Sequence, residues 1–176
     1  RVLALPMFAT ARTILSYCAV GGEVDPAAID AAAVRLGKAV AYPLCLAEGH
    51  MEAALPAAAD ALAPGRYGIP APIPGRCRLL VPEDVDLVLV PCAAFDASCR
   101  RIGMGAGYYD RYLARCGAFS LALAYEAQRV PQAARRNTMF CWVPWPVKTA
   151  CIGSCERRGL RPRSPRDIGI GSVGRN

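Results

Sequence analysis

Histidine is almost missing from this chain: of 176 residues, only His50 carries an imidazole. A His-based triad or a His-rich metal site therefore has too few members. Cysteine occurs nine times but never as Cys-x-x-Cys, and the one close pair, Cys151 and Cys155, has no partners at zinc-finger spacing. The thiols are read as buried or incidental, with no disulfide framework and no metal held by cysteine. No glycine run ends in Gly-Lys-Ser/Thr, which removes the Walker phosphate loop, and the dinucleotide fingerprint is missing as well. Long apolar runs are also lacking. Those present are strand-sized and broken by proline or charge, so no membrane span is expected. Nothing at the N-terminus has the basic, apolar, small-residue order of a secretory signal, and the expected location is cytoplasmic. The chain opens on Arg1 rather than Met, so the natural start is expected upstream.

An apolar fraction of 54% with 7% aromatics argues for a packed core, and the length suits one domain. The formal charge of +7 resembles that of a nucleic-acid binder, but its distribution does not. Residues 1–128 hold 11 Lys/Arg against 12 Asp/Glu, a net of −1, whereas residues 129–176 hold 10 against 2, a net of +8. The body is neutral and the tail is basic, so nucleic acid is not the expected partner.

The most informative stretch runs from Arg100 to Leu113. Gly103, Gly105 and Gly107 alternate in a loop free of side-chain bulk, where successive backbone N–H groups can turn toward an anion. Tyr108 to Leu113 reads as the first turns of a helix, whose N-terminus carries partial positive charge. Arg100 and Arg101 precede the loop, and Asp110 follows it as a candidate magnesium ligand. Ahead of all this, Asp86-Leu-Val-Leu-Val-Pro91 has the character of a buried parallel strand. Alternating glycines also make ordinary turns, so the loop by itself leaves a phosphate cradle and a plain turn equally open.

Leu89-Val90-Pro91, Ala94-Phe95-Asp96 and Arg101-Ile102-Gly103-Met104-Gly105-Ala106-Gly107-Tyr108-Tyr109-Asp110-Arg111, with Leu113, together resemble the signature of the 5-formyltetrahydrofolate cyclo-ligase family, also called 5,10-methenyltetrahydrofolate synthetases. The match extends over roughly Leu15 to Pro131. It implies an α/β fold: a single three-layer domain, CoA-transferase-like, with a mainly parallel sheet flanked by helices. The implied activity is ATP-dependent cyclisation of 5-formyltetrahydrofolate to 5,10-methenyltetrahydrofolate, with ATP and Mg2+ required and a monomer acting alone. In that chemistry the γ-phosphoryl group moves to the formyl oxygen, a poor leaving group until then. The N10 amine attacks the activated carbon and phosphate departs. By resemblance, Arg101, Ile102, Gly103, Met104, Gly105, Ala106, Gly107, Tyr108 and Tyr109 form the ATP-phosphate site. Cys18, Glu23, Met51, Met104 and Tyr108 line the folate site, and Asp110 organises the metal. No nucleophilic residue is required.

Each assignment has a plainer competitor. Glu23 in Gly21-Gly22-Glu23-Val24 is by itself a solvated turn carboxylate; the resemblance makes it the group that grips the pterin, accepting two hydrogen bonds from an amino-pyrimidine edge. Met51 is as readily a core methionine as a packing surface for a flat ring. Tyr109 is equally a helix-start packing residue, and His50 reads as a surface side chain.

Thr10 to Ala19 has apolar residues at helical spacing, but Ile14 to Val20 suits a short strand equally, and the resemblance favours strand. Asp25 is read as an N-cap with Pro26 opening a helix from Ala27 to about Leu36. Lys38 to Pro43 is a strand closed by its proline. Ala53 to Ala63 is helical by propensity, against the short strand and irregular connection the resemblance implies. Tyr67 to Gly75 is a Pro/Gly loop with no regular structure, in which Ala71-Pro72 replaces the family's Glu-Pro. Leu121 to Tyr125 is a further strand.

Residues 1–131 are read as the domain, lacking the family's usual first helix, and residues 132–176 as a divergent basic tail, largely disordered. The family's His-Asp pair and its final strand ending Thr-Glu have no counterpart in that tail, which carries both tryptophans and three cysteines. A shifted reading frame produces such a switch; as a hypothesis it is tested by translating the encoding DNA in its other frames, where finding no His-Asp continuation counts against it. The family's first-helix Lys and Arg, which reach the ATP phosphates, have no match apart from Arg1, Arg12 lying too near the first strand. Loss of both ends predicts sharply reduced turnover. Three other readings stay open: folate or nucleotide binding without turnover, nucleic-acid binding through the tail, and a structural α/β domain with a glycine turn.

Overall fold

Leu87, Val88, Leu89 and Val90 are each no more than 1% exposed, which requires cover on both faces of the strand they form. The computed structural model describes residues 1–65, 68–133 and 149–154 and supplies that cover. Its strands are β1 (Thr13–Leu15), β2 (Ala39–Cys45), β3 (Met51–Pro56), β4 (Leu62–Pro64), β5 (Pro70–Pro72), β6 (Cys77–Leu80), β7 (Leu87–Pro91), β8 (Ala94–Phe95), β9 (Arg101–Ile102), β10 (Phe119–Tyr125) and β11 (Thr149–Ser154). Its α-helices are α1 (Pro6–Thr10), α2 (Ala27–Arg35) and α3 (Tyr108–Leu113).

Seven strands make one sheet in the order β11-β10-β7-β1-β2-β3-β6. The first five are mutually parallel, while β3 runs antiparallel between β2 and β6. Alternation along the strands sorts the core into two layers. Ile14, Leu87, Leu89, Leu121 and Leu123 pack with Phe8 of α1 and Ala33 of α2. Leu15, Val88 and Val90 point the other way, toward Tyr112 and Leu113 of α3. The result is the expected three-layer α/β arrangement, with a mainly parallel sheet between helices. Asp86 fixes the register at its base, Oδ2 accepting N–H bonds from Arg12 and Thr13 at 2.8 Å each.

Several local expectations change. Pro43 does not close its strand: β2 continues to Cys45, because Pro43 lies beyond the pairing with β1 and has only β3 as a partner. The alanine-rich segment Ala53 to Ala63 is not an α-helix: it is strand β3 to Pro56, a single 3-10 turn at Ala59–Ala61 and the start of β4 at Leu62. Ala53 and Ala54 are fully buried between β2 and β6, and pairing overrides propensity. Within the Pro/Gly stretch, Pro70–Pro72 pairs with Leu62–Pro64 as a two-stranded ribbon, where few N–H groups are needed. Helix α2 starts one residue later than expected: Pro26, not Asp25, is the N-cap of Ala27–Arg35, and Asp25 Oδ1 accepts the Ala27 N–H at 2.9 Å from just outside the helix. Beyond Ala133, Thr149–Ser154 adds β11 in parallel to β10; the rest of the tail lies outside the described residues. No helix among the described residues is long and apolar enough to cross a membrane.

Candidate active site

Strand β1 feeds through α2 to β2 on one side, and β7 feeds through α3 to β10 on the other. The chain therefore reverses its winding between the adjacent strands β1 and β7, and in open α/β sheets ligands bind outside the carboxyl ends of such a pair. The segment after β1 holds Tyr17, Cys18 and Glu23; the segment after β7 holds Cys92, Asp96 and the glycine loop. Topology thus brings Cys18, Glu23 and residues 101–110 to one end of the sheet.

The loop is stretched between the small β8–β9 ribbon and α3. Gly107 caps α3 at φ +69° and ψ 13°, a left-handed conformation that strains any residue with a Cβ. Met104 at the apex is 82% exposed. Beneath it, Arg101 Nη2 binds Asp110 Oδ1 at 2.6 Å, both side chains being only 13% and 12% exposed. The guanidinium carbon also lies 5.9 Å from the Tyr109 ring centre. Burial raises the Asp110 pKa, and Arg101 and then Arg111 oppose it without cancelling it. The two residues expected to serve phosphate and metal separately are joined to each other.

Tyr109 links the loop to the β1 side. Burial pushes its hydroxyl well up, Arg101 opposes, and Cys45, Tyr17 and Glu23 add to the rise, so these groups share one electrostatic neighbourhood. Glu23 Oε2 accepts the Val20 N–H at 3.0 Å. Burial outweighs that bond and raises the Glu23 pKa. The turn is fixed by Tyr17, 4% exposed, whose hydroxyl donates to Val24 O at 2.6 Å. Cys18 is half-buried, its thiol pushed up by burial and then by Asp30 and Asp25 of the α2 region. Met51 is 2% exposed and lies in the core layer against which Tyr108 and Tyr109 pack. Of the residues read as substrate-facing, it alone is fully enclosed by protein.

Three residues that organise this end had no assigned role. Tyr17 and Arg111 are two, and Asp96 is the third. Its Oδ1 accepts N–H bonds from Ser98 at 2.8 Å and Arg100 at 3.1 Å, and its Oδ2 accepts from Ala133 at 3.1 Å. Burial acts to raise its pKa, but the bonds from Ala133, Arg100 and Ser98 and the nearby Arg100 charge prevail and hold it below the ordinary value. Only the contiguous Phe95-Asp96 pair was visible in the sequence; the Ala133 partner is 37 residues away.

Asp96→Ala is expected to cost about 2–4 kcal/mol, because three N–H groups lose their acceptor. The sign with pH follows from the depressed folded-state pKa. The carboxylate's contribution is complete above the unfolded value, about 3.9, and disappears as pH falls through the lower folded value. Melts at stepped pH should therefore show the gap between wild type and Asp96→Asn closing only in strong acid. A constant gap down to that range would contradict the assignment.

The chain belongs to the 5-formyltetrahydrofolate cyclo-ligase family, whose model matches residues 1–134. It is 31% identical over 121 residues to the 5-formyltetrahydrofolate cyclo-ligase of Mycolicibacterium smegmatis, an alignment covering 64% of this chain and 60% of that protein. The Mus musculus enzyme of the same name is 41% identical over 54 residues, 27% of each chain. The chain thus spans less than two-thirds of the length of the curated relatives it matches. Among solved structures, Aquifex aeolicus 5,10-methenyltetrahydrofolate synthetase superposes with a TM-score of 0.71 at 27% identity, covering 94% of this chain and 82% of that one.

Proposed function

We propose that this chain closes 5-formyltetrahydrofolate to 5,10-methenyltetrahydrofolate, driven by conversion of ATP to ADP and phosphate. The observation that carries the reading is the pairing, at one topological switch point, of a glycine-rich loop backed by Arg101 with the partly buried Glu23 turn. Family membership supports it. The loop amides of residues 103–107 and the Arg101 guanidinium hold the terminal phosphates, stabilising charge that spreads over their oxygens as the phosphoryl group moves. Glu23 accepts hydrogen bonds from the amino-pyrimidine edge, and Tyr108, Met104 and Cys18 border the folate. Tyr109 lies between the two substrates in this reading, its ring beside Arg101 and its hydroxyl in the field of Glu23. Met51 acts from beneath, as the packed support of Tyr108 and Tyr109. These residues orient N10 onto the activated formyl carbon and exclude water from it as phosphate departs with the formyl oxygen.

Asp110 fits magnesium as one oxygen ligand among several: it is a single carboxylate, partly engaged by Arg101, and Mg2+ is commonly held by one or two carboxylates plus substrate phosphates and water. No group of three or more His, Cys, Asp or Glu side chains among the described residues forms a metal set by itself. Bound there, the ion would neutralise phosphate charge.

A second reading, ligand binding without turnover, is favoured by one observation: the 132–176 sequence has no histidine and so no His-Asp pair. A continuous assay of methenyl-folate formation separates the two. ATP-dependent product at a rate proportional to protein supports the enzyme. Saturable binding of both ligands with no product leaves the second reading.

A further inference from the structure

Arg111 has no part in the chemistry above, yet it is the residue that ties the glycine loop to the rest of the sheet. Its Nε donates to Gly49 O at 2.9 Å, 62 residues away, and its Nη2 donates to Ala106 O inside the loop. Its guanidinium carbon lies 6.0 Å from the Tyr108 ring centre. The space it occupies is kept by two glycines on separate segments. A Cβ on Gly49, which has φ +75°, would fall 1.9 Å from Nη2, and one on Gly107 would fall 2.9 Å from Nη1.

We infer that Arg111 is a positioning residue that shapes the loop for a nucleotide's phosphates, by clamping Ala106 to the turn between β2 and β3. This rests on the phosphate reading of the loop. The physical reason lies in the carbonyls. A loop that receives phosphate must present N–H groups and turn its C=O dipoles away, since each oxygen carries partial negative charge. The Ala106 carbonyl is turned onto a cation, which neutralises it and fixes the peptide plane. A planar guanidinium reaches two carbonyls at once from different nitrogens; an ammonium on a flexible stem does not reproduce that fork. Arg111 is exposed, so the two bonds contribute little to global stability and their loss should act on the loop.

The test uses the full chain with Arg111→Ala, Arg111→Lys, Gly49→Ala and the Arg111→Ala/Gly49→Ala pair. Mg–ATP and 5-formyltetrahydrofolate are titrated separately by calorimetry, amide exchange is followed at residues 103–107, and melts establish folding. Arg111→Ala is expected to weaken Mg–ATP about tenfold or more, leave folate affinity within about twofold and speed exchange in the loop. Arg111→Lys should recover only part of the affinity. In Mg–ATP affinity Gly49→Ala should mimic Arg111→Ala and add nothing to it, because both remove one clamp, while the melts register separately the strain of a Cβ at φ +75°. Wild-type ATP affinity in folded Arg111→Ala, equal loss of both ligands, or additive single effects would each overturn the inference. If Arg111→Ala does not fold, Gly49→Ala and Arg111→Lys carry the comparison. If the wild-type chain binds no Mg–ATP, the functional reading fails, and the clamp is then decided by exchange alone, unchanged rates overturning it.

Discussion

Arg101→Ala is expected to lower kcat/KM for methenyl-folate formation by about a thousandfold, the scale of losing a charge that stabilises a phosphoryl transition state. Two losses combine. The loop forfeits its buried cation, and Asp110, 12% exposed, is left without the guanidinium 2.6 Å away. Breaking a buried pair by removing one partner is costly because the remaining charge stays desolvated. The double variant Arg101→Ala/Asp110→Asn separates the two: it should regain thermal stability relative to Arg101→Ala while remaining inactive. Stopped assays with melts on the same preparations read both. Retention of more than a tenth of wild-type turnover by folded Arg101→Ala would remove Arg101 from the phosphate site.

Glu23→Ala is expected to weaken 5-formyltetrahydrofolate about 30- to 150-fold, or about 2–3 kcal/mol, as two charge-assisted hydrogen bonds disappear, with Mg–ATP affinity nearly unchanged. Its pKa adds a second signature. Burial raises it beyond what the Val20 N–H can offset. A carboxyl whose folded pKa is raised stabilises the fold fully only below its unfolded value, about 4.3, and that stability fades as pH rises through the folded value. Near neutrality the empty protein therefore carries a small penalty for the ionised Glu23. Glu23→Gln should melt slightly higher than wild type at pH 7 while binding folate more weakly, a trade of stability for function. Folate affinity of the wild type should fall with acid, starting above the pH at which an ordinary glutamate would titrate. Calorimetry across pH 5–8 checks both trends.

How much of this was legible in the sequence depends on the range of the contacts involved. The strand Leu87 to Val90 and the helix that follows Asp25-Pro26 are local patterns; the strand lies where its residues imply, and the helix is displaced by one residue, with Pro26 as its cap in place of Asp25. The β3 segment was not legible from propensity, since its alanines favour helix and only the flanking strands β2 and β6 make them strand. Pro43 misled for the same reason: a proline ends a strand only where a neighbour needs its N–H. At the site, Arg101 and Asp110 are nine residues apart, and their ion pair depends on the turn made by the glycines between them. Asp96 and Arg111 each have near partners in sequence, but the Ala133 partner of Asp96 and the Gly49 partner of Arg111 lie 37 and 62 residues away, and no spacing rule reaches that far.

Ligand-induced thermal stabilisation tests the central claim most directly: that the loop of residues 103–107 holds ATP phosphates beside a folate slot reached by Glu23. Mg–ATP and 5-formyltetrahydrofolate, each at a hundredfold excess over its Kd, should each stabilise the wild-type chain by about 2.7 kcal/mol. Arg101→Ala should lose only the Mg–ATP response and Glu23→Ala only the folate response. A wild-type melting temperature unmoved by either ligand, or both responses surviving in both variants, would contradict it.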